Sequence, residues 1–169
     1  LAEVIGFGEG RTFLMPVGEM TGVAPGDTVV ATGRPIETPI GRELLGRVLN
    51  GVGRPIDDGP PLRGVRTASV FREPPDPVRR PRIHDVLPLG VRAVDGLLTI
   101  GRGQRVGIFS GSGVGKSTLL GMMARYTAAD VVVVALVGER GREVRDFIER
   151  DLGPEGMKKS VIVVATSNQ

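Results

Sequence analysis

Ser110-Gly111-Ser112-Gly113-Val114-Gly115-Lys116-Ser117-Thr118 stands between a short apolar run, Arg105-Val106-Gly107-Ile108-Phe109, and a helical pattern, Leu119-Leu120-Gly121-Met122-Met123-Ala124. Strand, glycine-rich turn and helix, in that order, are the setting of a phosphate-binding loop. Glycines let successive backbone N–H groups converge on one point, where the helix N-terminus adds the positive end of its dipole. On this reading Gly111, Ser112, Gly113, Val114, Gly115, Lys116, Ser117 and Thr118 hold a polyphosphate. Lys116 reaches the β- and γ-phosphates, and the hydroxyl of Ser117 ligates Mg²⁺. The strict pattern G-x-x-x-x-G-K-[ST] has Ser110 in place of its first glycine, a substitution by another small residue. The chain has 26 glycines in 169 residues, so a glycine-rich turn alone would carry little weight. Lysine is scarce, however, and one of the three falls at the position this chemistry requires.

A chain of this length buries one substantial core, or two small ones joined by a linker. Cysteine is absent, which excludes a disulfide scaffold and a thiolate metal site. The single histidine, His84, cannot build a metal cluster and reads as a solvated residue near the end of a linker. No signal peptide or spanning segment is evident, and a reducing cytoplasm fits. The net charge is +3 and the pI about 9.9, with arginine supplying nearly all the basic residues. These charges are scattered among acidic residues except at Arg79-Arg80-Pro81-Arg82, which argues against a nucleic-acid partner. The chain opens at Leu1, within a strand-like run, and reads as a piece of a longer protein.

Leu1–Phe7 and Arg11–Val17 are β-like runs separated by Gly8-Glu9-Gly10, a hairpin signal. Strands are also predicted at Asp27–Thr32 and Leu44–Leu49, so residues 1–50 read as part of a small barrel or sandwich. Phe7 and Phe13 are expected in its core rather than as stacking platforms. Residues 51–82 are rich in Gly, Pro, Asp and Arg and read as an extended connection. Within it, Asp57-Asp58 suggests turn chemistry rather than a metal site. In residues 83–169 a short helix is predicted at Val91–Leu98, then the strand, loop and helix described above, the helix running to about Ala128. Val131 to Val137 is continuously apolar and predicts a strand covered on both faces. Arg142–Leu152 predicts an amphipathic helix with Val144, Phe147, Ile148 and Leu152 inward and ion pairs at four-residue spacing outward. Ser160–Ala165 predicts a third buried strand. The alternation implies an α/β, parallel-sheet nucleotide-binding core.

Gly138-Glu139-Arg140-Gly141 ends the apolar strand, and ligands of open parallel sheets bind at the carboxyl ends of strands. Near a γ-phosphate, Glu139 could orient water for in-line attack and Arg140 could meet the phosphate charge. Taken alone, the pair fits an ion pair or a helix cap equally well.

Gly111-Ser112-Gly113-Val114-Gly115-Lys116-Ser117 followed by Gly138-Glu139-Arg140-Gly141-Arg142-Glu143-Val144 resembles the ATPases that energise type III protein export, relatives of the catalytic subunit of rotary ATP synthases. Gly90-Val91-Arg92-Ala93-Val94-Asp95, Gly101-Arg102-Gly103-Gln104-Arg105 and Val163-Val164-Ala165-Thr166-Ser167 extend the likeness over nearly the whole chain. Arg145-Asp146-Phe147-Ile148-Glu149-Arg150-Asp151-Leu152-Gly153 looks more like the flagellum-specific branch than the injectisome branch. Ser110, Leu89 and Asn168 stand where relatives usually carry other residues.

The resemblance implies a RecA/F1-like P-loop core behind a partial barrel, and Mg-dependent ATP hydrolysis by a homo-hexamer with sites shared between neighbours. It casts Lys116, Glu139 and Arg140 as catalytic. It also implies stalk and regulator proteins, export chaperones and unfolded export substrates as partners, and a cytoplasmic location peripheral to the membrane. Three rivals remain. A rotary synthase catalytic subunit typically has Thr-Arg-Glu-Gly where this chain has Gly141-Arg142-Glu143-Val144. A ring-shaped RNA translocase would need more aromatics. A non-catalytic nucleotide-binding subunit would have no need of Glu139.

Overall fold

Short β-prone runs punctuated by turn residues govern the first seventy residues. The computed structural model describes residues 1–18, 20–111 and 113–166. In it β1 (Ala2–Gly8) and β2 (Arg11–Pro16) pair antiparallel as the predicted hairpin, closed by Glu9 and Gly10 at φ of 50° and 70°, but Phe7 and Phe13, expected in a core, are exposed on this two-stranded ladder. Asp27–Thr32, expected as a strand, forms no ladder among the described residues. Val29 and Val30 are largely exposed there, so the run lacks the packing that sustains a strand. β3 (Glu37–Ile40) is followed by β4 (Val48–Asn50) and then by β5 (Arg66–Ser69), which pairs antiparallel with β3. The segment expected to be wholly extended therefore contains a strand, held also by Thr67 Oγ1 donating to Glu37 Oε2 at 3.0 Å.

The run Leu44–Leu49, expected beside the amino-terminal strands, behaves differently. A 3₁₀ turn takes Arg42–Leu44, and β4 pairs in parallel with a strand more than a hundred residues later. Burial explains the choice, since Leu44 and Leu49 pack with Val161 in one apolar cluster. A clasp fixes the approach. Arg47 Nη2 lies 2.6 Å from Asp57 Oδ1, its Nε donates to both Asp57 oxygens, and its Nη1 donates to Pro60 O. Val48 N and Gly59 N donate to the same carboxylate. The Arg47 guanidinium, then these backbone donors, hold the Asp57 carboxyl below its usual range. Asp57 is thus spent on a turn and a clasp, as its setting suggested.

The second half folds as expected in outline. Helix α1 (Arg92–Leu97) precedes the phosphate loop, and α2 (Lys116–Tyr126) follows it. Then come β6 (Val132–Val137), α3 (Gly141–Asp146), a π-helical segment (Phe147–Leu152), α4 (Gly153–Met157) and β7 (Ser160–Ala165). The sheet order is β4-β7-β6, all parallel, with Val132 opposite Ser160 and Val48 opposite Ile162. Val134, Leu136, Ile162 and Val164 bury one face under Ala124, Val144, Phe147 and Leu152. The four residues predicted inward on the α3 side are the ones turned toward this core.

Three expectations are corrected here. β6 alternates instead of being covered on both faces: Val134 is 6% exposed and Val133 67%, because the helices lie on one side of the described sheet. Arg105–Phe109 joins no ladder among the described residues; interrupted by Gly107, it has little apolar surface for a ladder to bury, and Phe109 stands exposed. Of the outer ion pairs, Arg145–Glu149 forms at 2.7 Å, whereas Arg142–Asp146 and Asp146–Arg150 do not among the described residues. The wider π turn takes Arg150 off the four-residue row.

Candidate nucleotide site

The loop is shaped by backbone rather than by side-chain bonds. Gly113 and Gly115 take φ of 75° and 91°, values that disfavour any side chain, and Gly115 is the N-cap of α2. A Cβ at either would meet nothing within 4 Å among the described residues beyond its chain neighbours, so these leave the space before the helix open. No side chain caps α2, which leaves its first-turn N–H groups facing that space. Ser110 Oγ donates to Gly111 O at 3.2 Å, and Val114 is 68% exposed, contributing main chain only. Ser112 lies outside the described residues, as do Ser167 and Asn168.

Lysine chemistry separates cleanly. Lys158 Nζ lies 2.7 Å from Glu155 Oε1, and Lys159 Nζ donates to Thr127 O at 2.6 Å. Lys116 is exposed and has no side-chain partner among the described residues, nor have Ser117 and Thr118.

Lys116 and Ser117 share a cavity of about 250 Å³ with Glu139. Gly138 (φ 73°) donates its N–H to Ala165 O at 2.8 Å, setting Glu139 at the carboxyl ends of β6 and β7. Apolar side chains make up much of the remaining lining, with Leu120 from α2, Leu136 from β6, Val144 from α3 and Phe147 from the π segment. Val106 and Ile108 also line it, so the run before the loop borders the site although it pairs with no strand.

Arg140 does not line this cavity. It is the N-cap of α3, its side chain is 83% exposed, and Nη1 lies 4.0 Å from Glu143 Oε1. Glu143 does line it and was missed; its four-residue spacing from Glu139 at a helix start was the available signal.

The donor set suits Mg²⁺ bound through a nucleotide. No group of three or more His, Cys, Asp or Glu able to hold a metal occurs among the described residues. Mg²⁺ takes one or two protein oxygens and completes its shell from phosphates and water, and the uncommitted hydroxyl of Ser117 is such an oxygen.

The nucleotide-binding domain of the ATP synthase alpha/beta family matches residues 90–169, and the beta-barrel domain of the same family matches residues 1–33. The chain is 53% identical over 168 residues to the flagellum-specific ATP synthase of Bacillus subtilis, covering 99% of this chain and 38% of that protein. It is 50% identical over 168 residues to the type 3 secretion system ATPase of Xanthomonas euvesicatoria, again covering 99% and 38%. The assembled ATPase EscN in complex with its central stalk EscO, from the enteropathogenic E. coli type III secretion system, superposes with a TM-score of 0.88 at 46% identity, over 99% of this chain and 41% of that one. The chain thus spans about 38% of the length of these curated relatives. Both halves of the fold and the whole length of the sequence lead to one conclusion: the chain belongs to the ATP synthase alpha/beta family, on the branch of the flagellar and type III secretion ATPases.

Proposed function

We propose that the full-length protein hydrolyses ATP with Mg²⁺ and that this energises type III export of flagellar proteins. The observation that carries the reading is the meeting of Lys116, Ser117 and Glu139 in one cavity at the N-terminus of α2. The loop N–H groups and Lys116 would bind and orient the β- and γ-phosphates. Ser117 would hold Mg²⁺, which when bound offsets phosphate charge. Glu139 would accept a hydrogen bond from the attacking water and align it. Arg140, outside the cavity and paired with Glu143, would reach phosphate charge only by leaving that pair.

Association into a homo-hexamer is part of the proposal, supported by the assembled state and central stalk named for the EscN structure. On this view the isolated 169-residue chain does not turn ATP over, because a shared site needs a neighbour's arginine. A stalk protein, a regulator, export chaperones and unfolded export substrates complete the proposed partners, with no role for nucleic acid. No helix among the described residues is long and apolar enough to cross a membrane, and a place at the cytoplasmic face of the membrane is proposed. The division into a partial barrel (1–50), an extended connection (51–82) and the first part of the core (83–169) is likewise proposed, with β4 crossing into the core sheet and β5 pairing back to β3. Family matches ending at residue 33 and starting at residue 90 support it.

The test is phosphate release by the full-length protein beside its Glu139→Gln variant. The variant should keep Mg-ATP binding and slow turnover by about 10²–10⁴-fold. Turnover at the parental rate would make Glu139 structural, and stimulation by RNA would favour a translocase.

A further inference from the structure

Two helical walls border the cavity. One is α2, whose first residues are Lys116 and Ser117; the other is α3 with the π segment, which carries Glu143, Val144 and Phe147. Their separation at the phosphate end depends on how they are joined at the other end, where Gly121 of α2 packs against Asp151. A Cβ on Gly121 would lie 2.6 Å from Asp151 Cβ and 2.8 Å from Asp151 C, so only the missing side chain of Gly121 lets α2 pack this closely on the π segment.

One side chain locks that contact. Arg125, in the last turn of α2, donates from Nε to Leu152 O at 3.0 Å and from Nη2 to Arg150 O at 3.0 Å and Asp151 O at 2.5 Å. These carbonyls end a helix that Gly153, at φ 66°, turns aside. Their usual acceptor role in a continuing helix is therefore lost, and the planar guanidinium fork supplies donors to three consecutive ones. Phe147, at the start of the same six-residue π segment, lines the cavity. Arg125 is nine residue steps along α2 from Lys116, about 13 Å along the helix axis. A tilt at the clamp is therefore carried rigidly to the loop.

We propose that Arg125 is a positioning residue for the reaction. It pins the far end of α2 to the Arg150–Leu152 carbonyls, so that the phosphate loop keeps a reactive separation from Glu143 on α3 and from Glu139 just before that helix. This rests on the nucleotide reading of the cavity. Binding of the phosphates needs only the loop and Lys116, which travel together on α2. Glu139 stands just before the Arg140 N-cap of α3, so alignment of water by it depends on how α3 and the π segment sit against α2. Loss of the clamp therefore acts on turnover and spares affinity.

The experiment uses the full-length protein and its Arg125→Gln, Arg125→Lys and Gly121→Ala variants. Measured for each are kcat, KM, equilibrium affinity for Mg-ATP and melting temperature. Arg125→Gln should lower kcat by about 10- to 100-fold, the usual effect of a displacement near 1 Å, while affinity stays within about threefold. Arg125→Lys should recover part of kcat, because an ammonium reaches the carbonyls without the fork. Gly121→Ala provides the second route should Arg125→Gln fail to fold: alanine favours the helix but forces α2 away from Asp151, so kcat should fall with affinity kept. A parental kcat in Gly121→Ala or in folded Arg125→Gln overturns the proposal. So does a loss of affinity equal to the loss of rate. Failure of the nucleotide reading shows separately, as absence of Mg-ATP binding and turnover in the parent.

Discussion

Replacing Lys116 with Ala in the full-length protein tests the site at its least ambiguous position. The folded chain makes no use of this side chain, which is exposed and without a partner among the described residues. The melting temperature should therefore stay within about 2 °C. Affinity should respond strongly. One charge-assisted hydrogen bond to a phosphate is worth about 1.5–3 kcal/mol. Attraction to the second phosphate adds a few more at an effective dielectric near 20, which makes the loss about 3–6 kcal/mol and the weakening about 10²–10⁴-fold. Calorimetric titration with Mg-ATP measures this, with circular dichroism as the check on folding. The other lysines serve as controls. Lys158→Ala breaks only an exposed pair with Glu155 and should change neither quantity. Lys159→Met removes the donor to Thr127 O and should lower stability alone. Unchanged affinity in Lys116→Ala, with an unaltered spectrum, would refute the phosphate-loop assignment.

Leu152 is fully buried, so Leu152→Ala should cost about 2.7–5 kcal/mol and lower the melting temperature by about 6–20 °C in scanning calorimetry. Gly115→Ala forces a side chain into φ 91°, costing about 1–2 kcal/mol if the loop keeps its shape, and should weaken Mg-ATP binding in the same titration. Asp57 has a depressed pKa in the fold, so its contribution to stability is complete above the unfolded carboxyl value and lost as pH falls through the folded one. Acid unfolding of Asp57→Asn should accordingly show a shallower loss of stability below about pH 4 than the parent.

Features that depend on neighbours in sequence were legible. The loop, α2, β7 and the inward set Val144, Phe147, Ile148 and Leu152 follow from glycine placement and apolar period alone, and these determine where Lys116, Ser117 and Glu139 fall. What escaped depends on partners far along the chain. Four successive valines from Val131 reveal no face, and only the placement of the helices makes Val134 inward and Val133 outward. The motif beside Glu139 did not reveal that Arg140 caps α3 and lies 4.0 Å from Glu143, which lines the cavity.

The position of β4 shows the limit most clearly. Leu44 to Leu49 has the same apolar character as the amino-terminal runs, so composition assigned it to their company. Two physical terms decided otherwise. Leu44 and Leu49 bury against Val161, and Asp57, eight residues beyond Leu49, both accepts Val48 N at 2.6 Å and neutralises Arg47. The carboxylate thereby aligns β4 for pairing with β7, and Arg47 O accepts Ile162 N at 3.0 Å at the junction. A parallel pair so distant in sequence pays a large loop-closure entropy before any hydrogen bond forms. A local clasp that sets the strand's geometry beforehand reduces what remains to be ordered, which gives the Asp-Asp turn a purpose in folding rather than in metal binding.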